Sequence, residues 1–223
     1  MGKLICFEGL DGSGKSTQEQ LLCRRLENEN INFKKIKLPN YDDDACALVK
    51  MYLQGRFGKN PGDVNAFAAS AFYAVDRYVS YNCYWKNEYL AGDVIVSDRY
   101  VTSNAYHQLT KLPKEQWDEF LLWLYDFEYN KMGIPKPDCV IYLDMPVNVS
   151  QKLMTGRYNG NEEKKDIHEK NVEYLNACRE AADYACKKGN WLKIDCSKNG
   201  EPLSPEEISE KIYNMVLPVI KGQ

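Results

Sequence analysis

The sequence predicts a three-layer α/β fold, with a five-stranded parallel sheet flanked by helices on both faces. Three observations predict it: five short apolar runs occur along the chain, helical stretches separate them, and breaker residues bound four of them. Strands that alternate with helices form right-handed βαβ units, whose sheets are buried on both faces. The composition is 44% hydrophobic and 27% charged over 223 residues, so we expect a single globular domain over residues 1–223.

The predicted strands are residues 4–7, 33–38, 94–96, 139–143 and 191–194. The first ends in a glycine-rich turn, and Gly92, Pro135 and Gly189 lie shortly before the last three. The predicted helices are residues 16–29, 44–54, 64–90, 114–130, 147–156, 166–188 and 205–221. Because parallel sheets bind ligands beyond the carboxyl ends of their strands, the residues that follow each strand are the candidates for function.

The charge balance and the cysteine content disfavour several classes of protein. The net charge is −3 at pH 7, so we expect no nucleic-acid partner and no binding to an anionic membrane. No apolar run approaches the roughly 18 residues of a membrane span, and the short apolar run before Glu8 does not fit a signal peptide. The eight cysteines form no C-x-x-C pair, so we expect free thiols in a reducing cytoplasm.

Residues 9–16 read GLDGSGKS and fit the phosphate-binding pattern G-x-x-x-x-G-K-[ST] at every fixed position. Glycines let the backbone point its N–H groups at phosphate oxygens, and the following helix adds its partial positive charge. Lys15 supplies a full charge to the β- and γ-phosphates, and the Ser16 hydroxyl is a ligand for Mg²⁺. The residues expected to bind a nucleoside triphosphate are Gly9, Gly12, Ser13, Gly14, Lys15, Ser16 and Thr17.

The third predicted strand runs into Ser97-Asp98-Arg99-Tyr100. Asp98 and Arg99 therefore belong at the carboxyl edge of the sheet, near the phosphate-binding loop. An arginine there is able to bind a phosphate with two parallel hydrogen bonds, and Asp98 is able to hold water or Mg²⁺ or to orient Arg99. A surface Asp–Arg pair is the alternative interpretation.

These motifs resemble those of the thymidylate kinases, a family of P-loop nucleoside monophosphate kinases. The resemblance runs from residue 3 to about residue 196. The segments that carry it are FEGLDGSGKSTQ at 7–18, LPNY at 38–41, YAVDR at 73–77, SDRY at 97–100 with Ser103-Asn104, KPD at 136–138 and LDMP at 143–146. The resemblance implies a P-loop NTPase fold with a mobile lid over about residues 154–170, a homodimer, and phosphoryl transfer from Mg-ATP to dTMP.

The resemblance also implies a role for each matching residue of the acceptor site. Tyr73 matches the aromatic residue that stacks on thymine, and Arg77, on the same helix face, matches the arginine that donates to a base carbonyl. Asn104 matches a residue at the base edge. Arg99 matches the arginine that binds the 5′-phosphate, and Tyr41 matches a phosphate-contacting position. A core aromatic is the alternative for Tyr73, and an exposed ion pair is the alternative for Arg77.

The resemblance also bears on the part of the site that faces the sugar. Asp11 matches a carboxylate near the sugar 3′-hydroxyl and the acceptor phosphate. Many relatives carry an aromatic residue against the ribose 2′ position, and here Tyr106 and His107 are both candidates for that place.

Residues 154–170 are rich in glycine, asparagine and charge, as expected for a lid that excludes water from the transferred group. Gly12 stands where some relatives carry a loop arginine, so the chain resembles the members whose transition-state arginine comes from the lid, here Arg157. Lys164 and Lys165 are candidates to share that role. A solvated helix-end charge is the alternative for Arg157.

Asp166 and Glu169 match a D-x-x-E pattern that follows the lid in the family. In relatives this pair meets the substrate sugar hydroxyl or the water shell of the metal. The alternative is a solvated helix start with Asp166 as its N-cap.

The sequence thus favours a dTMP kinase whose transfer residues are Lys15, Asp11, Arg99 and Arg157. Another P-loop nucleotide or deoxynucleoside kinase is the first alternative. A nucleotide-binding switch is the second, and the absence of an N-K-x-D motif counts against a GTP-dependent one.

Overall fold

The computed structural model describes residues 1–157 and 172–222, with the backbone alone for Pro61 and residues 154–157. The described chain has the predicted α/β architecture, with helices on both faces of one five-stranded parallel sheet. The strands are β1 Lys3–Gly9, β2 Phe33–Lys37, β3 Val94–Asp98, β4 Cys139–Asp144 and β5 Leu192–Asp195. Their order in the sheet is β2-β3-β1-β4-β5, so β1 lies at the centre and runs parallel to β3 and β4.

Helices pack on both faces of this sheet. They are α1 Lys15–Asn28, α2 Ala47–Leu53, α3 Ala66–Ser80, α4 Lys86–Ala91, α5 Val101–His107, α6 Trp117–Tyr125, α7 Val147–Arg157, α8 Val172–Gly189 and α9 Pro205–Lys221. Ser204 and Glu207 form a reciprocal capping box at the start of α9, as the sequence around Pro205 indicates. A small antiparallel ribbon, not predicted from the sequence, pairs β6 Ser197–Lys198 with β7 Glu201–Pro202.

The sheet is buried on both faces because successive residues of a strand point to opposite sides. On one side Leu4 and Cys6 of β1 belong to a core with Ile95, α5, α6 and α8. On the other side Ile5 and Phe7 of β1 pack in a core with α1 and α9. The polar residues that follow β1 and β3 are therefore held at one rigid edge.

The main departures from the predicted elements are in the helices. Helix α5 was not predicted, because its residues Val-Thr-Ser-Asn have low helix propensity and the segment is only seven residues long. The predicted helix 64–90 is divided into α3 and α4 by a wide helical turn at Tyr81–Trp85. A similar turn, Asp126–Lys131, continues α6.

All eight cysteines are free thiols, and every one except Cys83 is buried. Within residues 1–157 and 172–222, no helix is both long and apolar enough to cross a membrane.

Candidate active site

The loop between β1 and α1 wraps around the amino end of α1. Gly9 has a φ of 145°, and a Cβ atom there would lie 2.6 Å from Ser13 Oγ and 2.9 Å from the Leu143 carbonyl oxygen. Gly14, directly before α1, has a φ of 92°. These backbone conformations suit glycine alone, which explains why the tight loop requires glycine at both positions.

Lys15 is the buried cation of this loop. Its Nζ donates to the carbonyl oxygens of Gly9 and Leu10 at 2.9 and 3.0 Å, and it lies 3.6 Å from Asp11 Oδ1. Burial and the nearby Arg99 lower the pKa of Lys15, whereas the Asp11 carboxylate opposes that shift. The ammonium group is thus held over the loop by two neutral carbonyl oxygens beside the Asp11 carboxylate, and a phosphate is able to replace the carbonyl oxygens.

Asp98 ends β3 beside this loop. Its Oδ2 accepts a hydrogen bond from Ser16 Oγ at 3.3 Å, while its Oδ1 is buried without a partner. A buried carboxylate oxygen next to a hydroxyl is a donor set that suits Mg²⁺. The two residues predicted as metal ligands therefore lie together and fit that ion.

Arg99 connects the strand edge to the loop. Its backbone is left-handed, with a φ of 68°, and its N–H donates to the Phe7 carbonyl at 3.0 Å. Nη2 donates to Asp11 Oδ1 at 2.6 Å, and Nη1 donates to the Tyr106 hydroxyl at 3.1 Å. Burial raises the pKa of Asp11, but attraction to Arg99 and Lys15 outweighs burial and holds it well below its usual range.

Glu8, to which the sequence assigned no role, stabilises the segment that follows Arg99. Its fully buried carboxylate accepts from Tyr100 N–H at 3.0 Å, Thr102 Oγ1 at 2.6 Å and Ser103 Oγ at 2.6 Å. The Tyr106 hydroxyl donates to the same carboxylate at 3.0 Å. Glu8 therefore ties the start of α5 to β1 and fixes the backbone that follows Arg99. A glutamate directly before the phosphate loop was the available sequence signal.

A cavity of about 850 Å³ runs along this edge. The loop residues at its floor are Asp11, Gly12, Gly14, Lys15, Ser16 and Thr17. One wall is built from α3 and α5 and includes Tyr73, Arg77, Asn104 and His107. The lining also includes Tyr41, Leu153, Pro202, Leu203 and Pro205. The volume suits two ligands that meet over Lys15.

The geometry of this sheet edge fits more than one family of P-loop kinases, and the comparison with known families distinguishes between them. The thymidylate kinase family model matches residues 7–208.

The chain belongs to the thymidylate kinase family. A thymidylate kinase of Plasmodium falciparum is 28% identical over 209 residues, which cover 94% of this chain and 89% of that protein. A probable thymidylate kinase of Saccharolobus solfataricus is also 28% identical, over 89% of this chain and 91% of that protein. The solved thymidylate kinase structure from Candida albicans matches with a TM-score of 0.71 and 20% identity, over 97% of this chain and 91% of that one.

Most of the predicted site residues meet in the cavity of this thymidylate kinase family member. Gly9 and Ser13 do not line it, because they lie inside the loop, where Gly9 packs closely against Ser13 and Leu143. Arg157 is the last residue of α7, and its side chain is not described. Asp166 and Glu169, with Lys164 and Lys165, lie outside the described residues.

The structure separates the two candidates for the place near the ribose. Tyr106 is fully buried, and its hydroxyl bonds to Glu8, Arg99 and the Gly9 carbonyl. His107 lines the cavity, with its Nδ1 3.1 Å from the Tyr174 hydroxyl. Of the two, His107 is therefore the residue that a sugar in the cavity is able to meet.

Arg77 has a partner that the sequence did not indicate. It is 3% exposed and pairs with Glu128, rather than forming an exposed ion pair with Asp76. The Asp76 carboxylate instead accepts from the Asn40 N–H at 3.2 Å. Glu128 was missed because it lies 51 residues away in a turn that has no motif.

Proposed function

We propose that this chain transfers the terminal phosphoryl group of Mg-ATP to the 5′-phosphate of dTMP, which gives ADP and dTDP. The observation that carries the proposal is the cavity that joins the phosphate-binding loop at Lys15 to Arg99 and to the Tyr73–Arg77 wall. The family assignment supplies the reaction class, and the loop and acceptor residues supply the parts that such a transfer needs.

The donor phosphates belong over the loop, and the acceptor phosphate belongs at Arg99. An oxygen of the acceptor phosphate attacks the γ-phosphorus, while the bond from that phosphorus to the β–γ bridging oxygen breaks and ADP leaves. The acceptor phosphate needs no base, because it is already ionised at neutral pH. The contribution of the chain is therefore to align the two groups and to neutralise their charge.

Each residue of the edge has a place in this transfer. Lys15 exchanges its carbonyl acceptors for β- and γ-phosphate oxygens, and Arg99 presents a planar guanidinium to the acceptor phosphate. Asp11 keeps both cations in position by pairing with each of them. Ser16 and Asp98 would hold Mg²⁺, which supplies charge neutralisation to the phosphate oxygens.

The wall that carries Tyr73, Arg77 and Asn104 suits the base of dTMP. We place the thymine ring against Tyr73, with its polar edge toward Arg77 and Asn104, and we place Tyr41 near the phosphate. Arg157 stands at the end of α7, so we propose that it reaches the transferred group, with Asp166 and Glu169 near the sugar or the metal. An apolar contact with the 5-methyl group is worth about 1–3 kcal/mol, so dUMP should react weakly.

The deciding experiment is an ADP-release assay with Mg-ATP and a panel of acceptors. The panel is dTMP, dUMP, dCMP, dGMP, UMP and thymidine. We expect strong turnover with dTMP, weak turnover with dUMP and almost none with the others. Turnover of thymidine in place of dTMP would overturn the assignment of Arg99 to an acceptor phosphate. Tight ATP binding without turnover of any acceptor would favour a nucleotide-binding module.

We further propose a homodimer formed through α3. Phe67, Val75 and Tyr78 of this helix are each more than 40% exposed, and their spacing gives an apolar stripe along one helix face. Light scattering after gel filtration tests the proposal, and a monomer at micromolar concentration would refute it.

The cytoplasm is the proposed compartment, because free buried thiols suit a reducing environment. A fluorescent fusion found outside the cytoplasm would contradict it.

A further inference from the structure

Glu128 lies behind the wall of the cavity that carries Arg77. It belongs to the turn Asp126–Lys131, and its side chain is fully buried. Its two carboxylate oxygens accept from Arg77 Nε and Nη2, each at 2.6 Å. Two short parallel hydrogen bonds within a buried ion pair hold the guanidinium plane in one orientation.

This pairing determines what Arg77 offers to the cavity that it lines. A guanidinium group has five N–H bonds, and Glu128 takes two of them. The three that remain can only donate, because arginine has no acceptor. Arg77 is therefore a fixed donor on this wall.

Asn104 is the neighbouring polar group of the same wall, and it is 2% exposed. Its Nδ2 donates to the Ser70 carbonyl oxygen at 3.4 Å. A carbonyl oxygen only accepts, so this interaction requires the amide nitrogen. The Oδ1 atom of Asn104 is then left as an acceptor for a group in the cavity.

We propose that Glu128 is a positioning residue that sets the hydrogen-bond pattern of the base site, with Arg77 as donor and Asn104 as acceptor. A pyrimidine with a carbonyl at C4 and an N–H at N3 matches this pattern. Cytosine presents the opposite pattern, an amino group at C4 and an acceptor at N3. The inference rests on the proposed dTMP kinase function and adds the residue that holds the donor of this base site in place.

The test compares dUMP with dCMP, because the two differ only at N3 and C4 and both lack the 5-methyl group. For the wild type and Glu128→Gln, kcat and KM are measured with each nucleotide, and calorimetry gives the dissociation constants of any nucleotide that is not turned over. Glu128→Gln removes the charge and turns an amide N–H toward Arg77 at nearly unchanged size.

We expect the dUMP-to-dCMP ratio of kcat/KM to fall at least tenfold in Glu128→Gln. The fall should come from a higher KM for dUMP, with kcat at saturating dUMP within about threefold of the wild type and the KM for ATP unchanged. Glu19→Gln is the matched control, since it neutralises another buried carboxylate that does not line the cavity. It should leave the ratio as it is.

A purely structural role for Glu128 predicts a lower melting temperature with an unchanged ratio, and that result would overturn the proposal. If Glu128→Gln does not fold, Glu128→Asp decides, because it keeps the charge and withdraws the carboxylate from Arg77 by one methylene. A wild-type ratio in a folded Glu128→Asp variant would then refute the inference. Absence of dTMP and dUMP turnover in the wild type would instead refute the proposed function itself, and the inference with it.

Discussion

Arg99 Nη2 lies 2.6 Å from Asp11 Oδ1, although the two residues are 88 positions apart in the sequence. This ion pair joins the end of β3 to the phosphate-binding loop, and the same Asp11 oxygen lies 3.6 Å from Lys15 Nζ. One carboxylate thus lies against both cations of the site. In the proposed transfer these cations serve different phosphates, so we expect this ion-pair network to set the spacing between the donor and acceptor phosphates.

Arg99→Lys tests the acceptor side of this arrangement. A lysine keeps the charge but loses the planar fork that binds a phosphate and Asp11 together. We expect the KM for dTMP to rise about 10- to 100-fold, which corresponds to the loss of one or two charge-assisted hydrogen bonds, while the KM for ATP changes little. Steady-state kinetics with each substrate varied in turn measures both, and an unchanged KM for dTMP would remove Arg99 from the acceptor site.

Lys15→Met tests the donor side. The ammonium group makes its hydrogen bonds to two backbone carbonyls, so its removal should leave the fold intact. We expect kcat/KM to fall at least 1,000-fold, since the variant loses a charge that faces the transferred group. Lys114→Met is the control, because Lys114 pairs with Glu180 on the surface. Full activity in a folded Lys15→Met variant would disprove the loop assignment.

Asp98→Asn tests the proposed metal ligands. The variant keeps an oxygen near Ser16 but loses the negative charge that attracts a divalent cation. The Mg²⁺ concentration for half-maximal activity should rise about tenfold or more, whereas the exposed Asp118→Asn control should not shift it. The measurement is a Mg²⁺ titration at saturating ATP and dTMP. A curve that coincides with the wild type would mean that Asp98 only orients its neighbours.

Arg157→Ala tests the proposed lid arginine. A charge that acts on the transition state lowers kcat when it is lost, whereas a charge that acts on substrate binding raises KM. We expect kcat to fall about 10- to 100-fold with a smaller change in the dissociation constant for dTMP. The exposed Arg24→Ala variant is the control. A larger loss in dTMP affinity than in kcat would move Arg157 to the acceptor site.

The sheet and the loop were predictable because each depends on local sequence. Apolar runs such as Val94–Val96 must be buried, and the G-x-x-x-x-G-K-[ST] pattern at residues 9–16 requires a strand before it and a helix after it. The resemblance to the family added the positions of Tyr73 and Arg77, which the structure places on one wall of the cavity.

The supporting residues were not predictable in the same way. Glu8 and Glu128 act through partners 51 to 98 positions away. The position of Glu8 before the phosphate loop was a signal, but it did not indicate those partners, and no local pattern marks Glu128. Helix α5 is held by tertiary packing of Val101 and Ala105 rather than by helix propensity. Residues that position others are defined by contacts across the fold, which one sequence does not reveal.

Glu19 on α1 provides a prediction about stability that is separate from catalysis. Its side chain is 1% exposed, with Oε1 buried without a partner and Oε2 2.7 Å from Lys35 Nζ. Burial raises the pKa of Glu19 to about 7, and the attraction of Lys35 opposes that shift only in part. Because the Lys35 side chain is 41% exposed, water screens its charge.

The direction of the pH dependence follows from the raised pKa. The folded chain binds this proton more tightly than the unfolded chain, in which the carboxyl titrates near 4.5. The stability contributed by protonated Glu19 is therefore complete below about pH 4.5 and is lost as the pH rises toward 7. At pH 8 the ionised Glu19 lowers the free energy of unfolding by about 3 kcal/mol relative to the protonated form. Glu19→Gln, which cannot ionise, removes this cost.

Urea unfolding at pH 5, 6, 7 and 8 should show the variant gaining stability relative to the wild type as the pH rises, with the exposed Glu180→Gln as control. A difference between variant and wild type that stays constant from pH 5 to pH 8 would show that Lys35 compensates the buried charge in full.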